Sequence, residues 1–309
     1  RKSDLAIIQA KEVGINLLKK FPGLDIEYLT KTTSGDRNLT TPLSEMSSAG
    51  VFTDDLREYL IDNKCDIIVH SWKDLPLDLG NKTLIAGTLD RADQRDILFI
   101  KKKNIIEIKK NSSISILSSA PRRVYNLESF AKEFLPFELE KINFLNIRGN
   151  IPTRFKKFIE GNEDGFVVAK AAIDRLLKNN LEEFHSLKKI INAYIDECFW
   201  TITPLSKNPT SPGQGALACE IRLEDKILKD MFNKINHPKV FDCVEKEREV
   251  LKKYGGGCHQ KIGVSFFPMH FGLIQSEKGE TEEGKKFYSW KINNNFEIKE
   301  KISKKDIFP

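Results

Sequence analysis

The sequence holds only five cysteines in 309 residues (Cys65, Cys198, Cys219, Cys243 and Cys258), scattered and never spaced as C-x-x-C. That pattern excludes a disulfide framework and gives no zinc-site signature, and isolated thiols in odd number fit a reducing cytoplasm. The five histidines form no H-E-x-x-H or H-x-x-x-H pattern, so no metal site is expected and His70 reads as a packed side chain. Long hydrophobic runs are also lacking. No stretch is apolar enough to span a bilayer, and no secretory signal is evident, so no membrane partner is expected. Charge of one sign is scarce too: 50 basic residues stand against 44 acidic ones, a net charge of +6. Such a small excess suits an anionic partner, but without a basic stripe interleaved with aromatics it gives no sign of nucleic-acid binding.

What is present is the composition of a soluble globular protein, 40% hydrophobic and 30% charged, at a length that implies two or three domains. Strand-like and helix-like runs alternate, which predicts an α/β fold with parallel sheets and crossover helices. A helix is expected almost at once, with Ser3 as N-cap and Leu5, Ile8 and Ile15 on one face. A strand ordinarily feeds such a helix, so one is expected ahead of Arg1. Leu24 to Leu29, Ile67 to Val69, Ile114 to Leu117, Ile142 to Ile147 and Phe166 to Val168 read as short buried strands.

Ligands of open α/β sheets bind beyond the carboxyl ends of the strands, and three of these strands deliver arginine there. The first runs into Ser118-Ser119-Ala120-Pro121-Arg122-Arg123, the second into Arg148-Gly149-Asn150-Ile151-Pro152-Thr153-Arg154, the third into a helix carrying Arg175. Guanidinium forks and helix N-termini both favour carboxylate or phosphate, and their recurrence points to a polyanion. Taken singly, Arg154 and Arg175 also suit a solvated helix face. The strand at Ile67 ends in His70-Ser71-Trp72-Lys73-Asp74. Asp74 could move a proton or stabilise a developing cation, and Lys73 could hold an acidic group; a surface ion pair is the alternative. In Tyr254-Gly255-Gly256-Gly257-Cys258-His259, three glycines uncover one thiol, which suits a reactive cysteine or a tight turn.

These segments together resemble the porphobilinogen deaminase (hydroxymethylbilane synthase) family of tetrapyrrole and heme biosynthesis. The resemblance rests on Arg1-Lys2-Ser3-Asp4-Leu5-Ala6 with Gln9, Thr33-Ser34-Gly35-Asp36, His70 to Pro76, Arg122-Arg123, Arg148-Gly149-Asn150 with Thr153-Arg154, Gly213-Gln214-Gly215-Ala216-Leu217 and Gly256-Gly257-Cys258, in one order from Arg1 to about Gly263. It implies two periplasmic-binding-protein-like lobes plus a smaller α+β C-terminal domain: residues 1–92 with 214–234, residues 93–213, and residues 235–309. It implies a cytoplasmic, monomeric transferase that deaminates porphobilinogen and joins four units head to tail on a covalent dipyrromethane primer, before water releases hydroxymethylbilane. Cys258 would carry the dipyrromethane through a thioether, and Asp74 would be the principal catalytic group. Arg1, Ser3, Lys73, Ser119, Arg122, Arg123, Arg148, Arg154, Arg175 and Gln214 would bind the acidic side chains of cofactor, porphobilinogen and growing polypyrrole.

The chain departs from the family pattern at Ala49, where lysine is usual, at Leu117, where glycine is usual, and at Ala120-Pro121. Pro121 removes a backbone donor beside an anion site. Little sign of a buried strand or helix is expected beyond Val264, and Cys65 and Cys219 are expected to be packed. A non-catalytic anion-binding module is the other class of function that the two-lobed architecture serves; an exposed thiol on a third domain argues against it.

Overall fold

The computed structural model describes residues 1–31, 53–256, 260–269 and 272–293. Cys258, the Thr33 to Asp36 segment and Ala49 lie outside the described residues. In chain order the elements are helices α1 (Asp4–Lys20) and α2 (Asp54–Ile61), strands β1 (Ile68–Ser71), β2 (Thr83–Gly87) and β3 (Asp96–Lys101), α3 (Ile105–Asn111), β4 (Ser113–Leu117), α4 (Pro121–Phe134), β5 (Lys141–Leu145), α5 (Ile151–Glu160), β6 (Gly165–Ala169), α6 (Lys170–Lys178), α7 (His185–Asp196), β7 (Cys198–Ile202), β8 (Leu217–Arg222), α8 (Lys226–Asn233), α9 (Pro238–Lys253), and strands β9 (Gly263–Met269), β10 (Gly272–Glu280) and β11 (Lys286–Asn293).

Three sheets result, in the orders β1-β8-β2, β5-β4-β6-β3-β7 and β11-β10-β9. The α/β class holds, but the parallel arrangement is confined to β5, β4 and β6; β3 runs antiparallel to both β6 and β7, and β8 runs antiparallel to both β1 and β2. The chain leaves the first sheet after β2, enters the second at β3 and returns between β7 and β8.

The central strands β3 and β6 of the second sheet are buried on both faces, as their unbroken apolar runs require, while the edge strands β5 and β7 are partly exposed. Side-chain alternation sends Phe99, Phe166 and Val168 to one face with Phe155 and Phe158, and Leu98, Ile100 and Val167 to the other with Ile114, Ile116 and Phe130. In the first sheet, Leu217, Cys219 and Ile221 of β8 meet Val13 and Leu17 of α1, while Ala218 faces Trp72 and the α9 residues Val240 and Val244. Leu24 to Leu29 forms no strand. Its Leu24 and Ile26 pack into the first core through their side chains, without a ladder to a neighbouring strand. Ser3 does stand at the N-cap of α1, but its side chain makes no capping bond. The buried face of α1 is also divided: Val13 and Leu17 serve the first core, and Ile8 on the opposite side packs with Leu176 and Phe184. Ile15, on the Ile8 side, is exposed.

Beyond Val264 the three-stranded β9–β11 sheet overturns the expectation of an unstructured end. Its burial is partly polar, which hides it from a hydrophobic pattern. Ser276 Oγ donates to the Leu205 carbonyl at 2.7 Å, the Thr210 amide donates to Ser265 Oγ at 2.8 Å, and Lys278 Nζ donates to Ser129 Oγ at 2.8 Å. Among the described residues, no helix is long and apolar enough to cross a membrane.

The third sheet is tied to both crossings by one fully buried carboxylate, Glu247 of α9. It accepts both terminal nitrogens of Arg91 at 2.8 and 2.9 Å, the Gly213 amide at 2.7 Å and the Phe266 amide at 2.8 Å. Removing one partner of a buried, fully bonded pair leaves the other charge uncompensated, so Glu247→Ala is expected to cost about 3–5 kcal/mol of stability. Urea denaturation checks this; an unchanged midpoint and slope would show that the pair holds nothing together.

Candidate functional site

Asp74 ends a short 3-10 turn, Trp72–Asp74, that follows β1 directly. The turn is held from three sides. Ser71 exchanges hydrogen bonds with buried Gln9 of α1, at 2.9 and 3.2 Å; the Trp72 amide donates to the Ala216 carbonyl at 3.0 Å; and the Trp72 ring packs edge-on against Phe241. Just upstream, His70 is packed, as its sequence context suggested, and its Nε2 lies 2.9 Å from buried Glu220. Burial would raise the Glu220 carboxyl, but hydrogen bonds from His70 and Arg57, with Thr83, hold it down at about 2.

The opposite wall is built on the second lobe. β4, β5 and β6 lie parallel, so the N-termini of α4, α5 and α6 fall at one end of the sheet. Pro121 occupies the start of α4, where a missing N–H costs the helix nothing. Asn150 caps α5 by accepting the Thr153 amide at 2.9 Å. Arg154 donates through Nε to the Gly149 carbonyl at 2.6 Å, and Ser119 Oγ bridges to the Ile147 backbone, donating to its carbonyl at 2.7 Å and accepting its amide at 2.8 Å.

Electrostatics show which of these residues share a space. Burial pushes Arg154 down to about 10, with the charges of Arg123 and Arg148 acting in the same direction and those of Asp74 and Arg1 also felt. Lys73 keeps part of its surface accessible, yet the protein atoms crowded around it push its ammonium down to about 8; Asp74, Arg123, Asp96 and Arg122 are the charges it senses. Arg1, Lys73, Arg122, Arg123, Arg148 and Arg154 therefore form a strongly cationic cluster that includes the carboxylates of Asp74 and Asp96. Neither Arg154 nor Arg175 is a solvated helix residue. Arg175 is buried and directed elsewhere: its Nε donates to Glu12 of α1 at 2.8 Å and its Nη2 to the Gly215 carbonyl at 3.1 Å, joining the two lobes.

Gln214 connects the walls. Its Oε1 accepts from Lys73 Nζ at 3.4 Å and from Arg123 Nη2 at 3.3 Å, while its Nε2 donates to the Gln94 carbonyl at 2.7 Å and to Asp96 Oδ1 at 2.8 Å. The close approach requires glycine beside it: Gly215 has φ of +88°, and a Cβ there would stand 2.3 Å from the Ala92 carbonyl oxygen. Three buried polar atoms on the β4–α4 segment, Ser118 Oγ, Arg122 Nε and Arg123 Nε, have no hydrogen-bond partner among the described residues.

Residues 1–230 match the family model described as porphobilinogen deaminase, dipyromethane cofactor binding domain. The chain belongs to the porphobilinogen deaminase family. It is 32% identical to the porphobilinogen deaminase of Chloroherpeton thalassium over 85% of this chain and 76% of that one, and 34% identical to that of Alkaliphilus metalliredigens over 85% and 75%. The Clostridium acetobutylicum porphobilinogen deaminase is 32% identical over 85% of this chain and 81% of its own. Among solved structures, the probable amino-acid ABC transporter extracellular-binding protein of Bacillus subtilis covers 79% of this chain and 85% of its own at 13% identity, with a TM-score of 0.34, and lends the site nothing.

Within this family member the site draws on residues that no motif singled out. Asp96, Asn208, Arg91 and Glu247 organise the cluster, and each is far in sequence from the groups it contacts. The only local sign of them is a charged residue at the edge of an apolar strand or helix face, which ordinarily marks solvent. Helix α9 also reaches the Asp74 turn. Arg248 of α9 donates to the Leu75 carbonyl at 3.3 Å and to the Pro76 carbonyl. Gly256, at φ +69°, lies so near Leu77 that a Cβ would stand 2.5 Å from its Cδ1. Cys219 is packed, but Cys65 is partly exposed, because its side chain lies on the loop before β1 and outside the apolar face of that strand. Burial raises the thiols of all four described cysteines, Cys198 and Cys243 to about 11. Among the described residues, no group of His, Cys, Asp and Glu is arranged to hold a metal ion.

Proposed function

We propose that the chain is a hydroxymethylbilane synthase, with Asp74 as its catalytic carboxylate and Cys258 as the attachment point of a dipyrromethane. The observation that carries this reading is one carboxylate held in a rigid turn facing a wall of crowded cations. Like charges crowd both Lys73, which senses Arg123 and Arg122, and Arg154, which senses Arg123, Arg148 and Arg1, and this excess of positive charge favours an anionic ligand. A dipyrromethane, whose pyrroles carry acetate and propionate groups, fits that need; when bound it supplies a free pyrrole α-carbon as nucleophile.

Each residue then has a defined task. Loss of ammonia from porphobilinogen breaks a C–N bond, the electron pair leaving with nitrogen, and yields an electron-poor azafulvene. The Asp74 carboxylate stabilises that positive character and takes the proton released as the new C–C bond forms. Arg1, Lys73, Arg122, Arg123, Arg148 and Arg154 neutralise the carboxylates that accumulate with each unit. Ser3, at the start of α1, adds a hydroxyl; Ser119, Arg175 and Gln214 keep the wall in place through the backbone and side-chain bonds described above. Residues 1–92 with 214–234, residues 93–213 and residues 235–309 act as three domains. Gly256, two residues before Cys258, lies against Leu77, three residues beyond Asp74, and burial raises the four other thiols.

Intact mass tests the reading: purified active protein should carry the added mass of two linked pyrroles and should convert porphobilinogen to hydroxymethylbilane. An unmodified, inactive chain that still binds carboxylates would instead make this a binding module.

Lys73 adds a pH prediction. Its folded value of about 8 lies below the usual 10.5, so the fold disfavours the charged form, and that penalty is relieved as pH rises from 8 to 10.5. Ligand carboxylates reverse the preference, because they favour the ammonium. KM for porphobilinogen should therefore rise as pH climbs through about 8, with proton uptake on binding at that pH; a flat KM from pH 7 to 9.5 would remove Lys73 from the binding set.

A further inference from the structure

We infer that Asp96 is the positioning residue of the anion site, its carboxylate bridging the Nη2 nitrogens of Arg122 and Arg123 and so fixing the orientation of both guanidiniums behind the cationic cluster. The inference rests on the function proposed above and assigns a residue that the family motifs did not single out. Asp96 opens β3, where the chain enters the second lobe, and is fully buried. Each of its oxygens takes one guanidinium and one amide. Oδ1 accepts Arg123 Nη2 at 2.9 Å and Gln214 Nε2 at 2.8 Å; Oδ2 accepts Arg122 Nη2 and Asn208 Nδ2, both at 3.0 Å.

The consequence is an orientation that neither arginine could keep alone. Arg122 and Arg123 are adjacent on the first turn of α4, and like charges at that spacing repel. One carboxylate between them leaves the pair with a single net positive charge, which lets both be buried while still attracting an anion. It also occupies the Nη2 nitrogen of each. Arg122 Nη1 donates to Asn208 Oδ1 at 3.0 Å and to the Pro209 carbonyl at 3.1 Å, so Arg122 is held at both terminal nitrogens, while Arg123 Nη2 is shared between Asp96 and Gln214. Through Gln214 the same carboxylate fixes the oxygen that receives Lys73. Burial alone would raise the Asp96 carboxyl, but the two guanidinium charges and the hydrogen bonds from Arg123 and Gln214 hold it far below the carboxylate range, so the anion persists at every working pH.

The test compares Asp96→Asn, Asp96→Glu and Thr203→Val in the full chain. Thr203 donates to the Asp96 backbone carbonyl and accepts from Asn208, so its loss weakens the same neighbourhood without touching the carboxylate. Intact mass should show Asp96→Asn carrying the pyrrole adduct in a fraction lower by about tenfold or more, with KM for porphobilinogen in the loaded fraction raised by a similar factor and kcat moved less. Asp96→Glu should recover part of the loading, whereas Thr203→Val should melt at a lower temperature and remain loaded. Loading and KM unchanged in Asp96→Asn would overturn the inference, as would loss of loading in Asp96→Asn and Thr203→Val alike in proportion to their melting temperatures. An unmodified wild-type chain would overturn the proposed function itself, and this inference with it.

Discussion

Asp74→Asn is expected to lower turnover by about 10²–10⁴-fold at full cofactor loading, the range that a general acid-base or electrostatic group supplies. Asparagine keeps the size and one oxygen, so the Trp72–Asp74 turn, held by Ala216, Gln9 and Phe241, should persist. What disappears is negative charge opposite Arg154 and Lys73, both of which sense Asp74. The azafulvene would then form beside Arg154 and Lys73 without the carboxylate that offsets them, an unfavourable setting for a developing positive charge. Asp74→Glu keeps the charge and displaces it by one methylene, so a smaller loss is expected. Single-turnover kinetics with porphobilinogen separate this from binding: the chemical step should slow while substrate uptake is retained. Near-normal turnover in a loaded Asp74→Asn protein would end the assignment.

Cys258→Ser is expected to abolish the adduct altogether, with activity falling to background. Serine's hydroxyl is a far weaker nucleophile than a thiol, and the substitution changes one atom, so the melting temperature should follow that of the unloaded chain. The four other cysteines cannot take over readily. Cys219 is fully buried, burial raises Cys198 and Cys243 to about 11, and it raises the partly exposed Cys65 as well, so each has less thiolate at neutral pH than a free thiol. Peptide mapping of the wild-type adduct to any of them, or retention of the adduct in Cys258→Ser, would move the attachment site. Because the wild-type adduct is measured alongside, a failure of the assignment is distinguishable from a preparation that never loaded.

The clustering of Arg122, Arg123, Arg148 and Arg154 was legible because each comes after a short apolar run at a helix start, and β4 and β5 are parallel neighbours. Periodicity alone can carry such positions, since parallel strands deliver their succeeding loops and helix starts to one end of the sheet. Arg175 shows the limit of that reasoning. Its place on the first turns of α6 suggested the same cleft, but Glu12, a residue 163 positions away on another lobe, takes its guanidinium instead. The β9–β11 sheet was missed for a related reason: Ser265, Ser276 and Lys278 are satisfied by partners on the second lobe and its return crossing, so their burial leaves no apolar trace.

Composition, the order of strand-like and helix-like runs and a handful of short motifs were enough to determine the α/β class, the family and the groups able to do chemistry, because these depend on local propensity and on residue type. Tertiary structure alone decided which charges meet. Asp96 joins Arg122, Arg123, Asn208 and Gln214, and Glu247 joins Arg91, Gly213 and Phe266, across separations that no local pattern encodes. A buried carboxylate is tolerated only when several donors converge on it. That convergence is a property of the folded chain, because the donors come from different lobes.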